Sequence, residues 1–271
     1  MEDVVGQVRA YYDQSVEAEY ARIDGRPEFL ITRRFLDRYA VPGARVLDVG
    51  GGPGRYAHYL AARGCDVTLY DLSEGNVAFA RARAEQLGLK LTAIAGDARE
   101  ADAALKGPFD CVLLMGPMYH LLTEADRVRA VSACLNLLKP GGTLFVSFIT
   151  MFSGVIYMMR RGPELILSDE VIERRFRECV LDDTDYAGPA FTQAYFIRQR
   201  DILPFMARFA LNKLHLLGQE GILAPCEPAI LAQPPEVVSA WVDLAEALCE
   251  REEFLSWAEH ILYVGRKRDG A

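Results

Sequence analysis

Val46-Leu47-Asp48-Val49-Gly50-Gly51-Gly52-Pro53-Gly54-Arg55-Tyr56 decides the fold. An apolar run carrying one acid passes into a turn of four glycines and a proline, and then into a stretch with helical spacing. Glycine lets the chain turn sharply and brings bare backbone close to a ligand. Two other glycine turns are excluded by their own residues. A phosphate-binding P-loop ends in Gly-Lys-Ser/Thr, whereas Arg55-Tyr56 follows Gly54. A G-x-G-x-x-G dinucleotide turn wants glycine at position 55 or 57, and these are Arg55 and Ala57. What remains is D-x-G-x-G-x-G.

Downstream, strand and helix alternate. Apolar runs at 44–50, 66–72, 91–95, 110–115 and 143–149 read as strands, and 56–63, 73–87 and 123–138 as helices. Ser73 and Thr123 are placed as N-caps, while Gly88 and Pro140-Gly141-Gly142 are stop signals. Five apolar strands interleaved with helices predict a parallel sheet covered on both faces, with ligands at the carboxyl ends of the strands. Residues 3–39 read as helical, broken at Gly25-Arg26-Pro27. After residue 150 the rhythm fails. A run rich in Met and aromatics (Met151, Phe152, Tyr157, Met158, Met159) precedes a charged helix and the turn Asp182-Asp183-Thr184-Asp185. Regular structure resumes around 191–197, followed by a helix over 202–211 and a strand over 214–218. Residues 224–235, with four prolines, read as loop, 236–257 as helix and 260–265 as a last strand.

The 271 residues are 51% apolar and 25% charged, an ordinary globular balance. The formal net charge of −8 argues against nucleic acid, whose binding needs a basic surface. The local run Arg160, Arg161, Arg174, Arg175 and Arg177 is interleaved with Asp169, Glu170, Glu173 and Glu178, which reads as solvated helix faces. Six scattered cysteines form no C-x-x-C pair and no Cys/His cluster, so neither a disulfide framework nor a metal site is expected. No apolar run reaches about 18 residues and the first residues hold no apolar signal core; no membrane span and a cytoplasmic location are expected.

Asp71 ends the second run, Leu69-Tyr70-Asp71-Leu72-Ser73, where an acid can accept both ribose hydroxyls of an adenosine. The third run ends in Ala95-Gly96-Asp97-Ala98-Arg99, and the fourth continues into Met115-Gly116-Pro117. Leu138-Lys139-Pro140-Gly141-Gly142 precedes the fifth. In this order, with the glycine turn, these stretches resemble the motifs of class I S-adenosylmethionine (SAM)-dependent methyltransferases over roughly residues 40–150. The resemblance implies a Rossmann-like α/β fold: a seven-stranded, mostly parallel sheet with helices on both faces, plus helical cap insertions. The order of elements divides the chain into a helical cap at 1–40, a core at 41–150 that the resemblance makes SAM-binding, a cap or substrate insertion at 151–198 and a return to the core at 199–271 with a helical insertion at 224–258.

SAM is the cofactor the resemblance implies. Gly50, Gly52 and Gly54 would approach its methionine part, Asp48 would order the loop, and Asp71 would hold the ribose. Asp97 and Ala98 would contact adenine, and Met115 and Gly116 would lie under the sulfonium. Gly51, Tyr56 and Leu72 count among the expected cofactor contacts. Tyr11 or Tyr12, with Arg22, is expected to close over the cofactor. Gly116-Pro117-Met118-Tyr119-His120 resembles the G-P-x-Y-H-L segment of a bacterial small-molecule methyltransferase subgroup, so Tyr119 and His120 are the candidate catalytic pair. Tyr119 offers a π face or a hydroxyl, and His120 either accepts a proton or orders the loop. Residues 151–161 either border the acceptor pocket or pack the cap, and Arg160 and Arg161 either pair a substrate carboxylate or lie on the surface. The function implied is methyl transfer to an N, O or S atom of a small molecule, with a homodimer left open. RNA or protein methylation, non-catalytic binding of SAM or its demethylated product SAH, and nicotinamide oxidoreduction are the alternatives.

Overall fold

The computed structural model describes residues 3–270. Two helices, α1 (Val4–Arg22) and α2 (Pro27–Tyr39), lead into β1 (Arg45–Val49), and the glycine turn joins β1 to α3 (Arg55–Ala62). The alternation continues with β2 (Asp66–Asp71), α4 (Glu74–Gln86), β3 (Leu91–Ala95) and the short α5 (Ala101–Ala104). It closes with β4 (Phe109–Leu114), α6 (Glu124–Leu137) and β5 (Leu138–Ile149). Ser73 caps α4 by accepting from Asn76 N–H, and Thr123 caps α6 by accepting from Asp126 N–H.

Successive residues of a buried strand serve opposite faces. Val46 joins the core formed with Phe35, Leu36 and Leu60, whereas Leu47 and Val49 join the one formed with Val112, Leu114 and Cys134. A strand apolar on both sides therefore demands helices on both sides, and the chain supplies them.

The 151–198 region is more regular than its sequence suggests. It holds α7 (Phe152–Arg161), α8 (Val171–Leu181) and a hairpin of β6 (Tyr186–Pro189) with β7 (Gln193–Phe196). Phe176, Tyr186, Ala194 and Phe196 bury one another with Ile149 and Met151, a satellite core of their own. The helix expected at 202–211 is α9 (Gln199–Met206), and β8 (Leu211–Gly218) begins where that helix was expected to end.

Within the proline-rich stretch lies α10 (Glu227–Leu231), with Pro228 in a first turn that needs no N–H. The single helix expected over 236–257 is split into α11 (Pro235–Leu248) and α12 (Glu252–Leu255). Gly218 N–H takes the Cys249 carbonyl at 2.9 Å, so the helix stops where the sheet docks. The last strand is β9 (His260–Lys267).

The sheet has seven strands in the order β3-β2-β1-β4-β5-β9-β8. β3 through β5 run parallel, while β9 is antiparallel to both β5 and β8. The strand order reverses between β1 and β4, and a crevice opens at such a point beyond the strands' carboxyl ends. No helix among the described residues is long and apolar enough to cross a membrane.

Gly50 (φ +67°) sits where a Cβ would fall 2.4 Å from the ring carbons of Pro117, whereas Gly43 (φ +85°) has nothing within 4 Å. Gly43→Ala is therefore expected to cost only the left-handed backbone penalty, about 1 kcal/mol. Gly50→Ala should cost roughly 2 kcal/mol more, from the clash. Urea unfolding of the two variants checks this; equal losses would contradict the close approach of the Pro117 segment.

Candidate active site

The glycine turn is held from below by β2. Gly50 N–H donates to the Tyr70 carbonyl (2.6 Å), and Gly52 N–H donates to Asp71 Oδ2 (2.8 Å). Asp71 Oδ1 accepts from Ser73 N–H (2.9 Å) and Asn76 Nδ2 (3.1 Å). One carboxylate thus ties the turn to the start of α4.

Asp48 is buried beside it, and its Oδ2 has no hydrogen-bond partner among the described residues. Burial, and then the nearby Asp71 charge, push the Asp48 carboxyl up to about 7. Burial also raises Asp71, against the pull of its hydrogen-bond donors. Two buried acids with one orphaned oxygen form a site that calls for a cation.

The crevice above them measures about 1220 Å³, its open mouth included. Asp48, Gly50, Gly51, Gly52 and Tyr56 line it on the side of the glycine turn. Asp71, Leu72, Asp97 and Ala98 line it along β2 and β3, and Met115 and Gly116 after β4. Tyr12, Arg22, Tyr119 and His120 complete the wall. Gly54 does not line the crevice. Its Cβ would point at His58 (3.1 Å), Ala80 (3.2 Å) and Leu69 (3.3 Å), so it serves the helix start, at φ +90°. Asp97 is engaged by Arg99 through the backbone N–H (2.9 Å) and the guanidinium (2.6 Å), which hold its carboxyl below the usual range despite burial.

The first helix lies across the opening. Arg55 donates to the Tyr20 carbonyl (3.0 Å), Gly75 N–H donates to Asp13 (3.2 Å), and Ser73 Oγ bonds Asp13. Tyr12 hydroxyl meets His120 Nε2 at 2.8 Å, and His120 Nδ1 meets the Gln193 carbonyl at 3.1 Å. A carbonyl only accepts, so Nδ1 carries the proton and Nε2 accepts from Tyr12. Both ring nitrogens of His120 are occupied by protein groups. Burial holds its pKa down to about 4.

A second cavity, of about 1360 Å³ with its mouth, adjoins the first. The two share Tyr12, Glu19, Arg22 and Tyr119. Tyr157, Phe176, Phe191 and Phe196 give the second an aromatic wall, and Ser153, Gly154, Met158 and Arg161 bring α7 to its edge.

Between the cavities lies a buried ionic cluster that no local motif announced. Arg22 pairs with Glu19 (2.9 Å) and Glu28 (3.3 Å), and His260 Nδ1 with Glu220 (2.6 Å). Arg160 pairs with Glu227 (2.9 Å) and with Glu259, so its guanidinium is already occupied by protein carboxylates. Glu28, Glu220 and His260 converge within 4.8 Å. With Arg22 on Glu28, and His260 on both oxygens of Glu220, this group is an ion-pair cluster. Asn76, Glu28, Gln219, Glu220 and Glu259 carry no local signal of a site, and His260, which in sequence reads only as a weaker candidate than His120 on the last strand, is brought to the cavity by the fold.

The Methyltransferase domain family matches residues 46–142, the span from β1 to the turn before the buried part of β5. Residues 46–142 are thus similar to a methyltransferase domain, carried on a Rossmann-like sheet with a crevice at its switch point. In sequence the chain is similar to the ubiquinone biosynthesis O-methyltransferase of Xanthomonas campestris pv. campestris (strain B100), with 35% identity over 129 residues, 48% of this chain and 53% of that protein. The chain thus spans about half the length of the curated relatives it matches. In structure it is similar to the Burkholderia thailandensis 1,6-didemethyltoxoflavin-N1-methyltransferase, with a TM-score of 0.61 and 16% identity over 97% of this chain and 88% of that one. A magnesium protoporphyrin IX methyltransferase from Synechocystis PCC 6803 follows, with a TM-score of 0.59 and 15% identity over 98% of this chain and 100% of that one.

A carboxyl raised on folding binds a proton that the unfolded chain releases near pH 4. Its contribution to stability is present below that pH and is lost as pH rises through about 7. Asp48→Asn is therefore expected to stabilise the ligand-free protein at pH 8, by up to about 4 kcal/mol, and to change little at pH 4. Denaturant titrations at the two pH values check this; a variant less stable at pH 8 would contradict the strain assigned to Asp48.

Proposed function

We propose that this chain catalyses SAM-dependent methyl transfer to a small molecule held in the aromatic cavity. The observation that carries the reading is the junction of two cavities at Tyr12, Arg22 and Tyr119, one cavity floored by buried acids and the other walled by aromatics. SAM fits the first. Its ammonium and sulfonium meet the need of the orphaned Asp48 oxygen and its acidic neighbour, and the glycine turn leaves backbone bare at 50–52. Asp71 and Leu72 would take the ribose end, Asp97 and Ala98 the base, and Met115 and Gly116 the sulfonium side. When bound, SAM supplies a methyl group made electrophilic by its positive sulfur.

The chain's own residues supply alignment and dryness. Tyr119, half-buried at the junction, offers its ring to the cation side and its hydroxyl to the acceptor side. His120 holds Tyr12, and through it α1, over the crevice, so its work is positional. Alignment of an acceptor against an electrophile is itself a large share of such catalysis. The names of the relatives point to small acceptors. The net charge of −8 speaks against an RNA substrate.

Calorimetry tests the reading. SAM and SAH should bind and NADH should not, and Asp71→Ala should weaken SAM by on the order of 1–3 kcal/mol, about 5- to 150-fold. Preference for NADH, or unchanged SAM affinity in the variant, would overturn the placement.

A further inference from the structure

Two histidines flank Tyr119, with ring centroids 4.8 Å away for His120 and 6.2 Å for His260, and their environments are opposite. His120 has both nitrogens occupied. His260 has one. Its Nδ1 meets Glu220 Oε1 at 2.6 Å, and its backbone N–H donates to Glu220 Oε2 at 3.1 Å, so both oxygens of a fully buried carboxylate serve this one residue. A carboxylate on Nδ1 keeps a proton there and leaves Nε2 as the ring atom able to act on a ligand. Nε2 has no hydrogen-bond partner among the described residues, and the ring lines the aromatic cavity.

We propose that His260, oriented by Glu220, is the catalytic residue that holds a phenolic acceptor as its phenolate in the aromatic cavity. This rests on the methyltransferase reading above. A thiol can arrive as its thiolate and needs no base, whereas a hydroxyl must shed its proton for the new bond to form. The rings of Tyr157, Phe176, Phe191 and Phe196 suit a flat acceptor. The hydroxyl proton passes to solvent as the phenol settles against the protonated imidazole, and the phenolate oxygen then bonds the methyl carbon. The C–S electron pair leaves with sulfur, and the products are the methyl ether and SAH, with the imidazolium unchanged. Glu220 is the positioning residue and stabilises that imidazolium.

The charges facing His260 come from several elements: Glu220 before α10, Glu28 and Arg26 at the start of α2, Arg22 at the end of α1, Arg160 of α7 and the adjacent Glu259. The Tyr119 hydroxyl, which burial keeps protonated, faces the same space. Burial works against a charged imidazole, but Glu220 and Glu28 outweigh it and raise His260 to about 9. At neutral pH the bound pair is then phenolate with imidazolium.

The test uses the intact protein saturated with SAH and 4-nitrophenol, whose phenolate is read by its visible absorbance. In the wild type the bound probe should ionise at least about one pH unit lower than in His260→Gln, the separation a fixed imidazolium imposes. Glu220→Gln, which keeps the ring, should move ionisation in the same direction by less. SAH affinity should stay within about threefold in both variants. Failure of the wild-type complex to bind the probe, or one ionisation pH in all three proteins, would overturn the assignment of His260 alone. Failure of SAH to bind the wild type would bring down the methyltransferase reading with it.

Discussion

The structure depends on two carboxylates taken out of water beneath a turn of bare backbone. Asp71 is the better satisfied: Gly52, Ser73 and Asn76 donate to it, and by accepting from both sides it sets the turn against α4. Among the described residues, Asp48 has no such compensation at Oδ2. A folded chain keeps an uncompensated buried acid only where something else offsets its cost. Under the function proposed above, the offset is a ligand that brings positive charge. The glycines matter for the same reason, since a Cβ at Gly51 would fall 2.5 Å from Asp48 Oδ2, and one at Gly116 would fall 2.5 Å from the Gly50 carbonyl oxygen.

From that acid floor the rest of the site follows by charge and closure. Arg22 and Tyr12 reach in from α1, which is itself anchored to the crevice by Asp13, Tyr20 and His120. Beyond Tyr119 the chain places four acids, Glu28, Glu220, Glu227 and Glu259, against Arg22, Arg26, Arg160 and His260. Such a cluster is costly to bury, and its geometry fixes the side chains around the acceptor cavity. Burial and the Glu220 charge raise Glu259 to about 7, so this wall too holds a carboxyl whose charge depends on its surroundings near neutral pH.

The sheet and most of the crevice were legible because β1 to β5 carry their signals locally. Apolar runs carry or lead to Asp48, Asp71 and Asp97, glycines follow β1, β3 and β4, and Ser73 and Thr123 cap α4 and α6. Gly54 shows the limit of a motif: in sequence it is one more glycine of the turn, but in space it packs against His58 and Ala80. The cap was less legible. α7, α8 and the β6–β7 hairpin are held by a small core that includes Phe176, Tyr186 and Phe196, contacts between residues with no shared period. His260 and Glu220 are 40 residues apart and meet only because β9 lies between β5 and β8. His120 drew attention through its neighbours in sequence, whereas His260 is distinguished only by its neighbours in space.

The central claim is that a cation settles over Asp48, and proton counting measures it most directly. Titrating SAM into the protein at pH 7, in two buffers with different heats of ionisation, gives the number of protons exchanged on binding. A carboxyl half-protonated when free and ionised when paired should release about half a proton at pH 7. Heats that do not depend on the buffer, or a net uptake of protons, would contradict the account.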